Sequence, residues 1–126
     1  MMMAKPRPKY LDLFRIRLPL PGWISILHRI SGAGLFLILP LLLYLFDNSL
    51  HSRSSFNYFI KLVSQPWMKL ILLGAIWAFL HHLLAGLRYI AIDFHWGVEL
   101  KAARATSVWV LVISLLLTIA LGIKLW

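Results

Sequence analysis

Long apolar runs alternate with short polar connections along this chain, and the spacing predicts its elements. From Ile30 to Phe46 nearly every side chain is aliphatic or aromatic. A run of that length reads as bilayer-spanning helix rather than soluble core. Two more runs follow, so the pattern predicts an all-α membrane protein with three transmembrane helices, at about 23–46, 66–92 and 106–126. Trp23 and Trp67 stand where indole favours the membrane interface. Pro66 suits a first helical turn, and Pro40 is expected to bend the outer half of the first span. Residues 47–65 are polar and mixed, a loop with a short surface helix through Phe56 to Val63. Ahead of the first span, residues 1–22 form an arm in which Lys5, Arg7, Lys9, Arg15 and Arg17 alternate with Pro6, Pro8, Pro19 and Pro21. Proline at that density opposes regular helix. The arm is expected to lie on lipid headgroups or against a soluble partner.

The polar residues that enter the spans change the picture. Ser25-Ile26-Leu27-His28-Arg29-Ile30-Ser31-Gly32 opens the first span. Ionisable groups at membrane depth are costly and face protein, a cofactor or a water pocket. Helical spacing places Ser25, Arg29 and Gly32 on one face, with His28 and Ser31 on the strip about 100° round. One broad polar sector is therefore expected to look inward. Gly32 and Gly34 remove bulk beside it, which lets a backbone or a flat ligand approach.

The second span carries His81, His82 and Arg88 and is closed by Asp93. Ala75, Ala78, His82, Ala85, Gly86, Tyr89 and Asp93 fall on one small-and-polar stripe. A histidine flanked by alanine and glycine has room for a macrocycle, which favours His82 as a metal ligand. His81 points about 100° away, toward Trp77, Leu84 and Arg88, and His81 and Arg88 are the lesser candidates for a contact with the cofactor. His28 and His82 do not look like two ligands of one metal. His28 lies about 7 Å past the mouth of the first span and His82 about 15 Å from the matching end of the second, by helical rise. His28 and Arg29 are better suited to a carboxylate such as a haem propionate, and a second axial ligand would come from another subunit. The third span is apolar apart from Ser107, Ser114, Thr118 and Lys124, and reads as packing and lipid-facing surface.

Composition narrows the function. Of 126 residues, 61% are hydrophobic, which excludes an ordinary soluble domain and indicates one compact membrane unit. The absence of cysteine excludes disulfides, thiolate metal sites and cysteine-held iron–sulfur clusters. The net charge of +9 fits the positive-inside rule better than nucleic-acid binding. Nine of the thirteen basic residues fall on the N-terminal side, against Arg53, Lys61, Lys69 and Lys124 on the other. The N-terminus is thus expected inside and the C-terminus outside, with Arg29 and Arg88 on the same inner side. No cleavable signal peptide is expected, because the first apolar run is too long for one.

Arg7-Pro8 with Leu11-Asp12-Leu13, the Ser25–Gly32 block, and His82-x-x-x-Gly86-x-Arg88 followed by Asp93-Phe94 resemble the cytochrome b subunit of succinate dehydrogenase over nearly the whole chain. The resemblance implies a bacterial inner-membrane anchor for a flavoprotein and an iron–sulfur subunit, packed with a second small anchor subunit. Electrons from succinate would pass to ubiquinone, with haem b nearby and shared with that second anchor. By motif, Ser25 and Arg29 would line the quinone site, His82 would be this chain's axial haem ligand, and His28 and Arg29 would contact haem propionates. Some relatives have histidine where Tyr89 stands. The chain by itself carries no flavin site and no cluster ligands, so any activity belongs to the complex. Rival readings are the anchor of a fumarate reductase, a non-redox scaffold and a small transporter subunit. A scaffold needs neither polar cluster, and a transporter would want polar residues through the membrane depth.

Overall fold

The computed structural model describes residues 17–126. The basic arm up to residue 16, with Arg7-Pro8 and Leu11-Asp12-Leu13, lies outside the described residues. Four helices follow in order: α1 (Leu20–Leu50), α2 (Arg53–Val63), α3 (Pro66–Asp93) and α4 (Leu100–Leu125). Among the described residues α1, α3 and α4 are each long and apolar enough to cross a membrane.

Each boundary has a local cause. Helix α1 starts at Leu20, three residues before the predicted position, and Pro21 falls in its first turn. A proline there loses no intrahelical hydrogen bond, because the first N–H groups of a helix have no partner anyway. The expectation that the prolines exclude helix as far as residue 22 is therefore corrected. The helix also continues through Pro40 to Leu50. Helix α2 begins at a capping box: the Ser55 N–H donates to Ser52 Oγ at 3.1 Å and the Ser52 N–H donates to Ser55 Oγ at 2.9 Å. That box extends the predicted surface helix back to Arg53. Pro66 opens α3 as expected. Helix α4 starts at Leu100 rather than Thr106, so the connection after α3 is short. His95 and Gly97, with φ of 63° and 73°, supply the left-handed backbone that turns the chain there.

The three spans pack with α3 against both α1 and α4. Ile24 of α1, Ala85 of α3 and Val110 of α4 meet at the centre. Ser107 and Ser114 are fully buried, one turn and a turn's neighbour away from Val110 on the same strip of α4. Their hydroxyls donate to Ala103 O at 2.7 Å and Leu111 O at 3.0 Å, back along their own helix. Small hydroxyl side chains satisfied within the helix let two helices approach closely in an apolar environment.

Candidate functional site

The polar groups at the mouth of α1 meet those of α3 in the region between the two helices. Ile24, His28 and Ser31 occupy one strip of α1, of which Ile24 and Ser31 are buried. His82 of α3 inserts against this strip. Its Nδ1 lies 3.0 Å from the carbonyl oxygen of His28 and 3.3 Å from Ser31 Oγ. The Ser31 hydroxyl itself donates to the same carbonyl at 2.9 Å. A carbonyl oxygen only accepts, so the proton of the neutral ring sits on Nδ1. The Nε2 lone pair is left free, and Nε2 makes no hydrogen bond among the described residues.

Glycine makes this approach possible. A Cβ at position 32 would stand 2.8 Å from His82 Cε1. The His82 ring therefore occupies the space that any other residue at 32 would fill. The His28 ring stacks on the His82 ring with centroids 4.1 Å apart and planes 11° from parallel. The Tyr89 ring also lies against His28, with centroids 5.2 Å apart and planes tilted by 56°.

The stack corrects the sequence-based depths, which placed the two histidines at different levels. Because α1 begins at Leu20, His28 lies eight residues into the helix, about 12 Å by helical rise. His82 lies eleven residues from Asp93, about 16 Å, and the small remainder is absorbed where the helices pack. The earlier start of α1 thus removes most of the mismatch. The direct ring contact still leaves no gap for a macrocycle between the two histidines.

Arg29 departs from its expected place. It is exposed, as is Ile30, while Ser25 is half-buried beside it. The polar sector therefore splits: His28 and Ser31 turn into the α1–α3 contact, and Arg29 faces away from this bundle. The reason is that α1 spends its buried strip on Ile24 and Ser31, so a residue a further 100° or more round has no helix to face. Neither the Ser25 hydroxyl nor the Arg29 guanidinium has a hydrogen-bond partner among the described residues.

The second histidine of α3 has a different environment. His81 is 0% exposed, and both of its ring nitrogens lack a partner among the described residues. The Trp77 indole stacks on it at 5.3 Å. Buried in this way, it offers no open side to a large cofactor. Trp77 Nε1 and the Tyr89 hydroxyl are likewise buried without partners. The small-residue stripe divides as well. Ala85 packs into the three-helix core, whereas Ala75 and Ala78 border a cleft of 190 Å³ with Gly34 and Gly74, one turn beyond His82.

Arg88 ties α3 to α4. It is only 9% exposed, and its Nε donates to Thr106 Oγ1 at 2.9 Å while an Nη donates to Ala103 O at 3.2 Å. Its guanidinium also sits 5.6 Å from the Tyr89 ring centroid. Hydrogen bonds from charged donors contribute about 1.5–3 kcal/mol each. Arg88→Ala is therefore expected to lower the thermal unfolding midpoint of the purified assembly by several degrees. Calorimetry or a fluorescence melt measures this, and an unchanged midpoint would remove the structural role. Sequence reasoning grouped Arg88 with the cofactor candidates and missed this clasp; Thr106, one helical repeat past Ala102 and facing α3, was the available signal.

Among the described residues no three His, Cys, Asp or Glu side chains cluster as a metal-binding group. For a histidine that ligates iron, the usual arrangement has one ring N–H donating to a carbonyl or carboxylate and the other nitrogen free to coordinate. His82 has that arrangement; His81 does not.

Comparison with known proteins bears on this arrangement. A family model described as succinate dehydrogenase/fumarate reductase transmembrane subunit matches residues 3–121. The succinate dehydrogenase cytochrome b556 subunit of Coxiella burnetii is 34% identical over 125 residues, covering 98% of this chain and 100% of the relative. The protein of the same name from Paracoccus denitrificans is 33% identical over 104 residues, 82% of this chain and 78% of the relative. That of Rickettsia prowazekii is 28% identical over 119 residues, 94% and 91% of the two chains.

Proposed function

The chain belongs to the succinate dehydrogenase/fumarate reductase transmembrane subunit family and is a multi-pass protein of the bacterial inner membrane, and from that premise we propose that it is the haem b-bearing anchor of a succinate:ubiquinone oxidoreductase. The observation that carries the reading is the His82 imidazole, with Nδ1–H held by the His28 carbonyl and Nε2 free. In this reading haem b supplies a one-electron carrier between the iron–sulfur subunit and the quinone. His82 would hold the iron through Nε2. The Nδ1–H···O=C bond fixes the ring's tautomer and orientation and raises the basicity of the ligand nitrogen. His28 covers one face of the His82 ring, and the second anchor subunit would supply the other protein ligand.

The inner side is assigned to the end bearing Leu20, Asp93 and Leu100, from the excess of basic residues there. Ser25 and Arg29 open onto that side. As a half-buried hydroxyl and an exposed guanidinium on one helical face, they suit the carbonyl oxygens of a ubiquinone lying between this chain and its partners. In the same reading His28 and Arg29, which point to different sides of α1, would each contact a haem propionate. The names of the relatives favour succinate oxidation over fumarate reduction. A non-redox scaffold leaves the arrangement of His82 without a purpose.

Gly32 provides the test closest to that observation. A methyl at position 32 would meet the His82 ring at 2.8 Å, whereas one at Gly34 meets nothing within 4 Å. Gly32→Ala is expected to push the ring off its carbonyl and to lower haem content in the purified complex by about 10-fold, the scale of losing a second-shell partner. Gly34→Ala should retain the native amount. Equal haem content in both variants, measured as the pyridine haemochrome, would count against His82 as the ligand.

A further inference from the structure

Helix α2 was predicted only as a surface helix, and neither the haem nor the quinone reading uses it. It is tethered at both ends to membrane spans, by His51 and Ser52 to α1 and by Ser64 and Gln65 to α3. Two-residue tethers hold it at the level of the lipid headgroups on that side. Its apolar residues divide into two strips. Phe59 and Val63 face the bundle and roof an apolar cavity of about 620 Å³ between α1, α3 and the end of α4. Phe56 and Ile60, with Arg53 on the same strip at i, i+3 and i+7, face outward and are 44% and 45% exposed for the two apolar side chains. Asn57 borders the same strip and lines a hollow with Arg53 and Phe56, whereas Ser54 and Lys61 lie about a third of a turn round from that strip. The strip Arg53–Phe56–Ile60 is thus amphiphilic along its length, with a guanidinium at one end and two large apolar side chains beyond it.

Charge points the same way. Arg53, Lys61, Lys69 and Lys124 stand at this end of the bundle against a single carboxylate, Asp47. The excess of basic over acidic side chains makes this end electropositive, which complements an anionic headgroup. Phosphate matches a guanidinium in charge and in bidentate geometry. Trp67, and Trp126 with the Lys69 ammonium 5.9 Å from its ring centroid, mark the interfacial level of this end.

We propose that α2 is an interfacial helix that seats a phospholipid, with the acyl chain along Phe56 and Ile60 and the phosphate on Arg53. The inference rests on the membrane placement of α1 and α3 and is independent of haem and quinone. Amphipathic helices bind bilayers in this manner, with the apolar face sunk to the headgroup–acyl boundary and basic residues above it.

A photoreactive benzoylphenylalanine placed at position 54, 56 or 60 of the chain, within the full complex in its native membrane, tests the proposal. After illumination, the chain is analysed by mass spectrometry. Phospholipid adducts are expected at 56 and 60 and only weakly at 54, and Arg53→Gln is expected to lower the adduct yield several-fold. Crosslinks from 56 and 60 to another polypeptide would mean that a partner subunit covers this face, and would overturn the proposal. Absence of any adduct at both positions would mean water, with the same consequence. Adducts insensitive to Arg53→Gln would overturn the phosphate seat. Positions 56 and 60 are independent variants, so failure of one to assemble leaves the other to decide.

Discussion

His82→Ala in the assembled complex is expected to reduce haem content at least about tenfold, while His81→Ala keeps most of it. The magnitude follows from ligand chemistry: loss of a supporting second-shell group already costs 10–100-fold in affinity, and removal of the ligand itself costs no less. The contrast follows from geometry. His82 has Nδ1 engaged with the His28 carbonyl at 3.0 Å and Nε2 free, whereas His81 is sealed from the surface beside Trp77. His81→Ala leaves a cavity in the three-helix core, so it is expected to destabilise the fold by a few kcal/mol, the usual cost of truncating a large buried side chain, about 2–5 kcal/mol. The two variants thus separate a ligand from a packing residue: one loses haem, the other loses thermal stability. If haem disappears only from the His81 variant, the assignment is reversed.

The second large effect is expected from Arg29→Ala. Arg29 is exposed and makes no side-chain hydrogen bond among the described residues, so its removal should leave the packing of the spans intact. A charge-assisted hydrogen bond to a substrate oxygen contributes about 1.5–3 kcal/mol, which is about 10- to 100-fold in rate at 1.36 kcal/mol per decade. Ubiquinone reduction should fall by that factor. Succinate oxidation measured with a soluble artificial acceptor should not change, because that electron path leaves the complex before reaching the membrane. Equal loss of both activities would place the effect in assembly and count against a quinone role. Ser25→Ala removes a neutral donor on the same face and should show the same split with a smaller magnitude.

The hydrophobic pattern made the three spans legible because a bilayer demands long, uniformly apolar helices, and little else in a sequence looks like that. The ends were less legible. Pro21 reads as a helix breaker by composition, yet in a first turn it is a helix starter, and that three-residue difference shifted the inferred depth of His28. The block Ser25–Gly32 was visible as chemistry, but not its division. Which of His28 and Arg29 turns inward depends on where α3 lies, and helical periodicity fixes only their relative angle. The role of Gly32 as the floor under the His82 ring required the coordinates, although a glycine beside a polar cluster was the right clue. Ser107 and Ser114 were hidden for a different reason. A serine in an apolar helix hydrogen-bonds its own backbone and looks the same in sequence whether it packs or faces lipid.

A reduced-minus-oxidised optical spectrum of the purified complex, quantified against this chain, tests the central claim most directly. A b-type haem signal stoichiometric with the chain is expected in the native complex and is expected to be lost in the His82→Ala complex. A native complex that contains this chain, oxidises succinate and shows no b-type haem would contradict it.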